Sequence, residues 1–199
     1  MRTEIFQFDH IQNVRALQLV LELLRRRVGS PISYTAIAED VGISVPTVKK
    51  YIPVFEALYI IFRLQPFSKN IARSILKEPK IYFFDTGLVI GDASAIFENF
   101  VALCLLKHVY QRVDEDGRDV QLHYLKTKEG KEVDFLLIEN GVPKQMIETK
   151  LSNHRIDKNL KYFSDRYTIP AMQIVKNLRH EQIMDGIQLI KAENFLINL

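Results

Sequence analysis

The sequence predicts a mixed α/β fold in two parts, residues 1–85 and 86–199, and three observations lead there. The first part alternates short helical patterns with Ser and Gly punctuation, then gives two apolar strand segments. The second part runs helix, three strands, helix, strand. Two of those strands carry Asp134 and the triplet Glu148-Thr149-Lys150, the most informative residues of the chain.

Composition narrows the class. Hydrophobic residues make up 47% of the 199 and charged residues 26%, the balance of a soluble globular chain rather than a disordered or fibrous one. No apolar run reaches the roughly 20 residues that span a bilayer, and no apolar signal core follows Met1-Arg2-Thr3-Glu4. The expected compartment is the cytoplasm, with no membrane partner. Cys104 is the sole cysteine and lies in an apolar helical run, which reads as a buried core thiol and excludes an internal disulfide. The net charge of +3 is unevenly placed. Residues 1–80 hold 12 basic against 7 acidic residues, whereas residues 81–199 hold 15 against 17. A basic first part beside a mildly acidic second part suits a DNA-contacting module joined to a metal-binding one.

The first part is built in order from Val14. Apolar positions Leu17, Leu19, Val20, Leu21, Leu23 and Leu24 predict a helix from Val14 to Arg27, closed by Gly29. Ser33 caps a second helix, Tyr34 to Val41, and Gly42-Ile43-Ser44 makes a turn. Ser44 then caps a third helix that opens Val45-Pro46, where a first-turn proline is tolerated. Strand Leu58 to Leu64, a segment Ser68 to Lys80 and a returning strand Ile81 to Phe84 complete a winged helix-turn-helix. In a major groove the third helix would present Ser44, Thr47, Lys49, Lys50 and Tyr51. Lys69, Arg73, Lys77 and Lys80 on the wing would hold phosphates, which positions the domain without reading sequence. The competing reading of this unit is a protein-contacting domain or spacer.

The second part opens with a helix from Ala93 to Val109 that carries Glu98 beside its apolar stripe. Strand Leu122 to Leu125 follows, then a hairpin of Lys131–Ile138 and Val142–Leu151 around Glu139-Asn140-Gly141. A helix from Arg155 to Arg166, strands Met172 to Val175 and Ile187 to Leu189, and a terminal helix from Glu193 to Leu199 finish the chain. The hairpin register matters. A two-residue loop would set residue 134 opposite 147 and turn Glu148 away, whereas a three-residue loop or an equivalent bulge puts Asp134, Glu148 and Lys150 on one face. The three-residue loop or bulge is expected. On that face, Asp134 and Glu148 would hold Mg2+ or Mn2+, since hard cations prefer carboxylate oxygens. A bound metal acidifies water and neutralises phosphate charge, and Lys150 would orient the water or the phosphate.

Other residues take plainer roles. Asp85 before Thr86-Gly87 reads as a turn cap, and Glu132 as a solvated neighbour of Asp134. His10, His108, His123, His154 and His180 lack metal-ligand spacing. The acidic block Asp114 to Asp119 lacks the twelfth-position glutamate of an EF-hand and reads as a solvated turn.

The strand order with an aspartate on the second strand and E-X-K on the third resembles the PD-(D/E)XK nuclease superfamily, of restriction-endonuclease-like fold. That resemblance implies catalytic roles for Asp134, Glu148 and Lys150, and for Glu98, which matches an acid that many members carry on the first helix. A closer resemblance rests on Lys80-Ile81-Tyr82-Phe83-Phe84-Asp85-Thr86-Gly87-Leu88, Phe97-Glu98-Asn99-Phe100-Val101, Lys131-Glu132-Val133-Asp134-Phe135 and Ile147-Glu148-Thr149-Lys150-Leu151. With these motifs the chain is similar to the C-terminal half of a group of bacterial and archaeal AAA-type ATPases whose tail is a domain of unknown function. Their ATPase module has no counterpart here: no Gly-X-X-X-X-Gly-Lys-Ser/Thr occurs, so no ATPase activity is expected from this chain. The resemblance implies an ATPase module as a partner, either separate from this chain or missing from it. The leading expectation is a DNA-binding, Mg-dependent deoxyribonuclease-like protein acting on double-stranded DNA. The alternative is a non-catalytic DNA- or protein-binding regulatory tail with a vestigial metal site.

Overall fold

The structure, a computed structural model, describes residues 13–68, 78–152 and 155–199. Lys69, Arg73 and Lys77 of the expected wing, together with His10 and His154, lie outside the described residues. The fold is mixed α/β, as expected.

Three helices open the described residues. Helix α1, Val14–Arg25, is capped by the Asn13 side chain, which accepts from Ala16 N, and buries Ala16, Val20 and Leu24 at four-residue spacing. It ends before Gly29, contrary to expectation, because the N–H groups of Arg26 and Arg27 turn back to the Leu23 and Leu24 carbonyls at 3.3 and 3.0 Å. Helix α2, Tyr34–Val41, is capped by Ser33 and closes on Gly42 at φ +73°, a left-handed cap that glycine adopts without strain. Helix α3, Val45–Ala57, is capped by Ser44 and carries Pro46 in its first turn. The segment expected as a strand from Leu58 begins as one only at Ile61, since Leu58 and Tyr59 close α3 through N–H bonds to Val54 O and Glu56 O.

Strands β1, Ile61–Leu64, and β2, Lys80–Phe83, form an antiparallel ribbon with Ile61 opposite Phe83 and Leu64 opposite Lys80. All four β2 residues are buried. A short 3-10 turn, Thr86–Leu88, is capped by Asp85, whose Oδ1 accepts from Gly87 N at 2.8 Å, as read from sequence.

Helix α4, Ala93–Asp116, runs seven residues past the expected end at Val109. The acidic block expected as a loop thus supplies its last turn, held by Arg112–Asp116 at 2.9 Å and closed by Gly117 at φ +62°. At 24 residues α4 is long and apolar enough to cross a membrane by length and composition. Its Phe97, Val101, Ala102, Leu105 and Val109 are nevertheless buried inside the protein. Cys104 is half-buried, so it is not the core thiol expected.

The remaining strands make one six-stranded sheet. They are β3 (Val120–Lys126), β4 (Glu132–Glu139), β5 (Val142–Lys150), β6 (Ala171–Val175), β7 (Gln182–Met184) and β8 (Ile187–Lys191), in spatial order β3-β4-β5-β6-β8-β7. Strands β3, β4 and β5 are antiparallel neighbours, β5, β6 and β8 are parallel, and β7 returns antiparallel along β8. Helix α5, Lys158–Arg166, makes the crossover from β5 to β6, and Asp157 caps it. Helix α6, Ala192–Ile197, follows β8 directly. Strand β7, absent from the sequence reading, is fully exposed, so its residues carry no buried alternation to detect.

One buried cluster joins Val20, Leu24 and Ile52 of the helical unit, Ile81 and Phe83 of β2, Phe97 and Val101 of α4, and Phe135, Ile147 and Ile174 of the sheet. The opposite sheet face packs Val133, Ile138 and Met146 on Leu160 and Phe163 of α5. The helical unit and α4 therefore share a core on one face of the sheet, with α5 on the other.

Candidate active site

The β4–β5 hairpin corrects the expected loop. Glu139 pairs with Val142, leaving a two-residue turn at Asn140-Gly141 with φ of +51° and +72°. The register then shifts: Ile138 pairs with Pro143 but Leu137 pairs with Gln145, so Lys144 is a bulge. The bulge restores the parity that a two-residue turn alone would lose, and Phe135 pairs with Ile147. The equivalent bulge foreseen from sequence is the device used.

Beyond that pair the two strands exchange side chains for backbone. The Asp134 N–H donates to Glu148 Oε2 at 3.3 Å, and the Thr149 N–H donates to Asp134 Oδ2 at 3.0 Å. The Thr149 hydroxyl donates to the same Oδ2 at 2.8 Å. Lys150 Nζ donates to Glu148 Oε1 at 2.6 Å and meets Asp157 Oδ2 at 3.1 Å. Lys80 Nζ donates to Asp134 Oδ1 at 3.3 Å. Each oxygen of Asp134 and Glu148 thus accepts from a donor of this chain.

Glu98 arrives from α4 on the other side. Tyr82 donates its hydroxyl to Glu98 Oε1 at 2.7 Å, and Lys80 Nζ lies 3.3 Å from the same oxygen. Glu132, two residues before Asp134 and on the same strand face, meets Lys80 Nζ at 2.8 Å, so it is a paired member of the site and not a solvated neighbour. Gly29 closes over this corner: a Cβ there would come within 2.6 Å of Glu98 Oε1, on a backbone at φ +72°. Its N–H donates to Ile81 O. The sequence reading took Gly29 as a helix cap; its place is over the Glu98 carboxylate.

These contacts set the electrostatics. Burial, then the Asp134 charge, push the Glu98 carboxyl up to about 7. Burial and Asp134 likewise raise Glu148. Burial opposes the Lys80 ammonium, yet Tyr82, Asp134, Glu98 and Glu132 hold it well above its ordinary range. Burial also opposes the charge on Lys150, and Glu148 and Asp157 outweigh it, leaving it raised. Two carboxyls pushed up by burial beside a third mark a candidate functional site.

The four residues expected to carry chemistry, Glu98, Asp134, Glu148 and Lys150, do come together. The sequence reading missed Lys80, Tyr82, Thr149 and Asp157, and it placed Lys80 on the wing as a phosphate contact. That placement is wrong, since Lys80 is 1% exposed and committed to three carboxylates. A signal was available: a lysine opening an otherwise apolar strand has to be buried with partners. Tyr51 is also corrected. It is buried among the three helices, with its hydroxyl donating to Asn13 O, so it cannot read a groove. Ser44, Lys49 and Lys50 are exposed, and Thr47 is half-buried with its hydroxyl bonded to Ser44.

The motifs singled out from sequence are in mutual contact. Lys80 and Tyr82 of the first reach Glu98 of the second and, through Lys80, Asp134 of the third; Thr149 of the fourth holds Asp134. Asn99, fully buried next to Glu98, accepts from Phe83 N at 2.7 Å and donates to Phe83 O at 3.0 Å and Thr86 Oγ1 at 3.2 Å. It stands in for a strand on the open edge of β2.

Comparison with known families follows this geometry. Residues 93–195, more than half the chain, match a domain of unknown function, DUF4143. The chain belongs to the DUF4143 family. Residues 1–95 match a second domain of unknown function, DUF8612. The DUF4143 region supplies Glu98, Glu132, Asp134, Glu148 and Lys150, while the DUF8612 region supplies Gly29, Lys80 and Tyr82. Neither the curated proteins nor the solved structures compared with the chain include a match.

Proposed function

We propose that this DUF4143 protein is a DNA-binding, divalent-metal-dependent phosphodiesterase that works in the cytoplasm as the tail of an AAA-type ATPase. The observation that carries the reading is the convergence of Asp134, Glu148, Lys150 and Glu98, from two strands and a helix, on one buried acidic cluster. The motifs shared with the ATPase tails supply the link to a motor, and these 199 residues, which hold no P-loop sequence, do not themselves provide it.

Asp134 and Glu148 would hold the metal. Among the described residues no group of three or more His, Cys, Asp or Glu side chains is placed to hold an ion. Two carboxylates nonetheless fit Mg2+ or Mn2+, because Mg2+ keeps several waters and commonly takes one or two carboxylates plus substrate phosphate. The donor chemistry fits as well: hard oxygens, on carboxyls pushed up by burial and by the neighbouring Asp134 charge. When bound, the ion supplies an acidified water and neutralises charge on the phosphate. Lys150, 29% exposed, is the cation beside Glu148 and reaches solvent, so its ammonium can donate to a phosphate oxygen. Ser44, Thr47, Lys49 and Lys50 at the start of α3 would dock duplex DNA.

A second reading has its own observation. Every oxygen of Asp134 and Glu148 is already satisfied within the chain, as befits a non-catalytic DNA- or protein-binding tail in which the cluster only holds the fold. Thermal melting separates the two. Mg2+ or Mn2+ should stabilise wild type and leave an Asp134→Ala/Glu148→Ala double variant unmoved. At tenfold excess over the dissociation constant the gain is about 1.4 kcal/mol. No shift in either protein at millimolar metal would favour the non-catalytic tail. Metal-dependent nicking of a supercoiled plasmid, lost in the double variant, then tests cleavage.

A further inference from the structure

We propose that Lys80 is the resident cation of this site, occupying the position beside Glu98, Glu132 and Asp134 and so limiting the cluster to one divalent ion, at Asp134 and Glu148. The proposal rests on the metal reading above and deepens it.

The geometry of Lys80 is that of a coordinated ion. Its Nζ lies 2.8 Å from Glu132 Oε1, 3.3 Å from Glu98 Oε1 and 3.3 Å from Asp134 Oδ1. An ammonium has three donors, and three carboxylates use them. The Tyr124 ring, centred 5.5 Å away, closes one side of the ammonium. The residue is 1% exposed, so no solvent path offers the side chain another place to go.

The backbone pins it there. Lys80 pairs with Leu64 across the β1–β2 ribbon and forms a bridge with Pro31. The neighbouring Ile32 N–H donates to Pro79 O at 2.9 Å. With its strand fixed and its side chain enclosed at 1% exposure, the ammonium is held among the three carboxylates. Ionised carboxylates taken out of water require a counter-charge, and here the DUF8612 region delivers it to acids of the DUF4143 region.

The consequence concerns number. A divalent ion next to Glu98 and Asp134 would share their carboxylates with a fixed ammonium, and two cations in a low-dielectric pocket repel. The Glu148 side has a different cation, Lys150, which is 29% exposed where Lys80 is 1% exposed, so that end can exchange partners with solvent. Glu98 therefore serves Lys80 and Tyr82 and is not a ligand for a second metal. Lys80 is a positioning residue, since it acts on the metal through the carboxylates.

Calorimetric titration of Mn2+ into the whole chain tests this, with wild type, Lys80→Met and Lys80→Arg compared. Wild type and Lys80→Arg should bind one Mn2+ per chain and Lys80→Met two. The melting temperature of Lys80→Met should rise more with Mn2+ than that of wild type. One Mn2+ in both wild type and Lys80→Met would overturn the inference and leave the metal reading standing, and two in wild type would overturn it outright. None in wild type but one in Lys80→Met would support the resident cation and overturn metal binding by the native site. None in either would overturn both. If Lys80→Met fails to fold, Lys80→Gln, which is uncharged but keeps a hydrogen-bond donor and leaves all three carboxylates in place, carries the same comparison and the same expected gain of one ion.

Discussion

Around Asp134 the side-chain oxygens find partners inside the chain; at the N-terminal end of α3, Ser44, Lys49 and Lys50 face water. Both regions were picked out from sequence by residue type and spacing, but they obey different physics. In the buried cluster a charge must be matched by a neighbour, because desolvation costs more than any single interaction returns. Each residue there depends on all the others. On α3 water screens each lysine separately, and neighbouring side chains contribute little. Removing one residue should disturb the whole cluster at Asp134, whereas on α3 it should remove only itself.

The largest expected effect follows from Asn99. Asn99→Ala leaves the buried Phe83 N–H and carbonyl without partners, at roughly 1–3 kcal/mol for each orphaned group. Urea unfolding should show a loss of that size, and a loss under 1 kcal/mol would mean that β2 is held without it.

The acid cluster should also make stability depend on pH. With Glu98 raised from 4.5 to about 7, the folded chain holds a proton that the unfolded chain has released between those values. That stabilisation is complete below pH 4.5 and disappears as pH rises through 7, and the raised Glu148 prolongs the fall. Melting temperature in metal-free buffer should therefore decline from pH 5 to 8. Glu98→Gln should flatten the decline, and an unchanged slope in that variant would remove Glu98 from the explanation.

Effects on α3 should be smaller and separable. Ser44→Ala deletes the cap on Thr47 N and should cost about 1 kcal/mol in the same unfolding assay, with no change in the response to metal. Smallest is the pair Lys49→Ala/Lys50→Ala, which should leave stability within about 0.5 kcal/mol. On the DNA-binding reading it should also lower the slope of log affinity against log salt by roughly one for each phosphate that is no longer neutralised. An unchanged slope would take duplex DNA away from this helix.

Local signals in the sequence located most elements within a few residues. The caps Ser33, Ser44 and Asp85 lie where short polar side chains before a helix or turn place them, because each bond spans only two or three residues. The errors came where a distant contact overrode the local signal. Gly29 is spaced like a helix cap but fits under Glu98, and Tyr51 sits on the expected reading helix but faces its interior. The helix end at Val109 failed because Arg112, Asp116 and Gly117 extend α4 through a stretch whose composition resembles a loop.

The sequence by itself determined the mixed α/β class, the order of the elements apart from β7, and the shared face of Asp134, Glu148 and Lys150. Those follow from periodicity and spacing, which act over a few residues along the chain. Glu98 joined them only through the family resemblance. Only the tertiary structure decided that Lys80 belongs among the carboxylates. Its partners Glu98, Glu132 and Asp134 lie 18, 52 and 54 positions away along the chain. They meet because β2 packs against α4 and the sheet in one core, and a buried ammonium is stable only where such packing brings carboxylates to it.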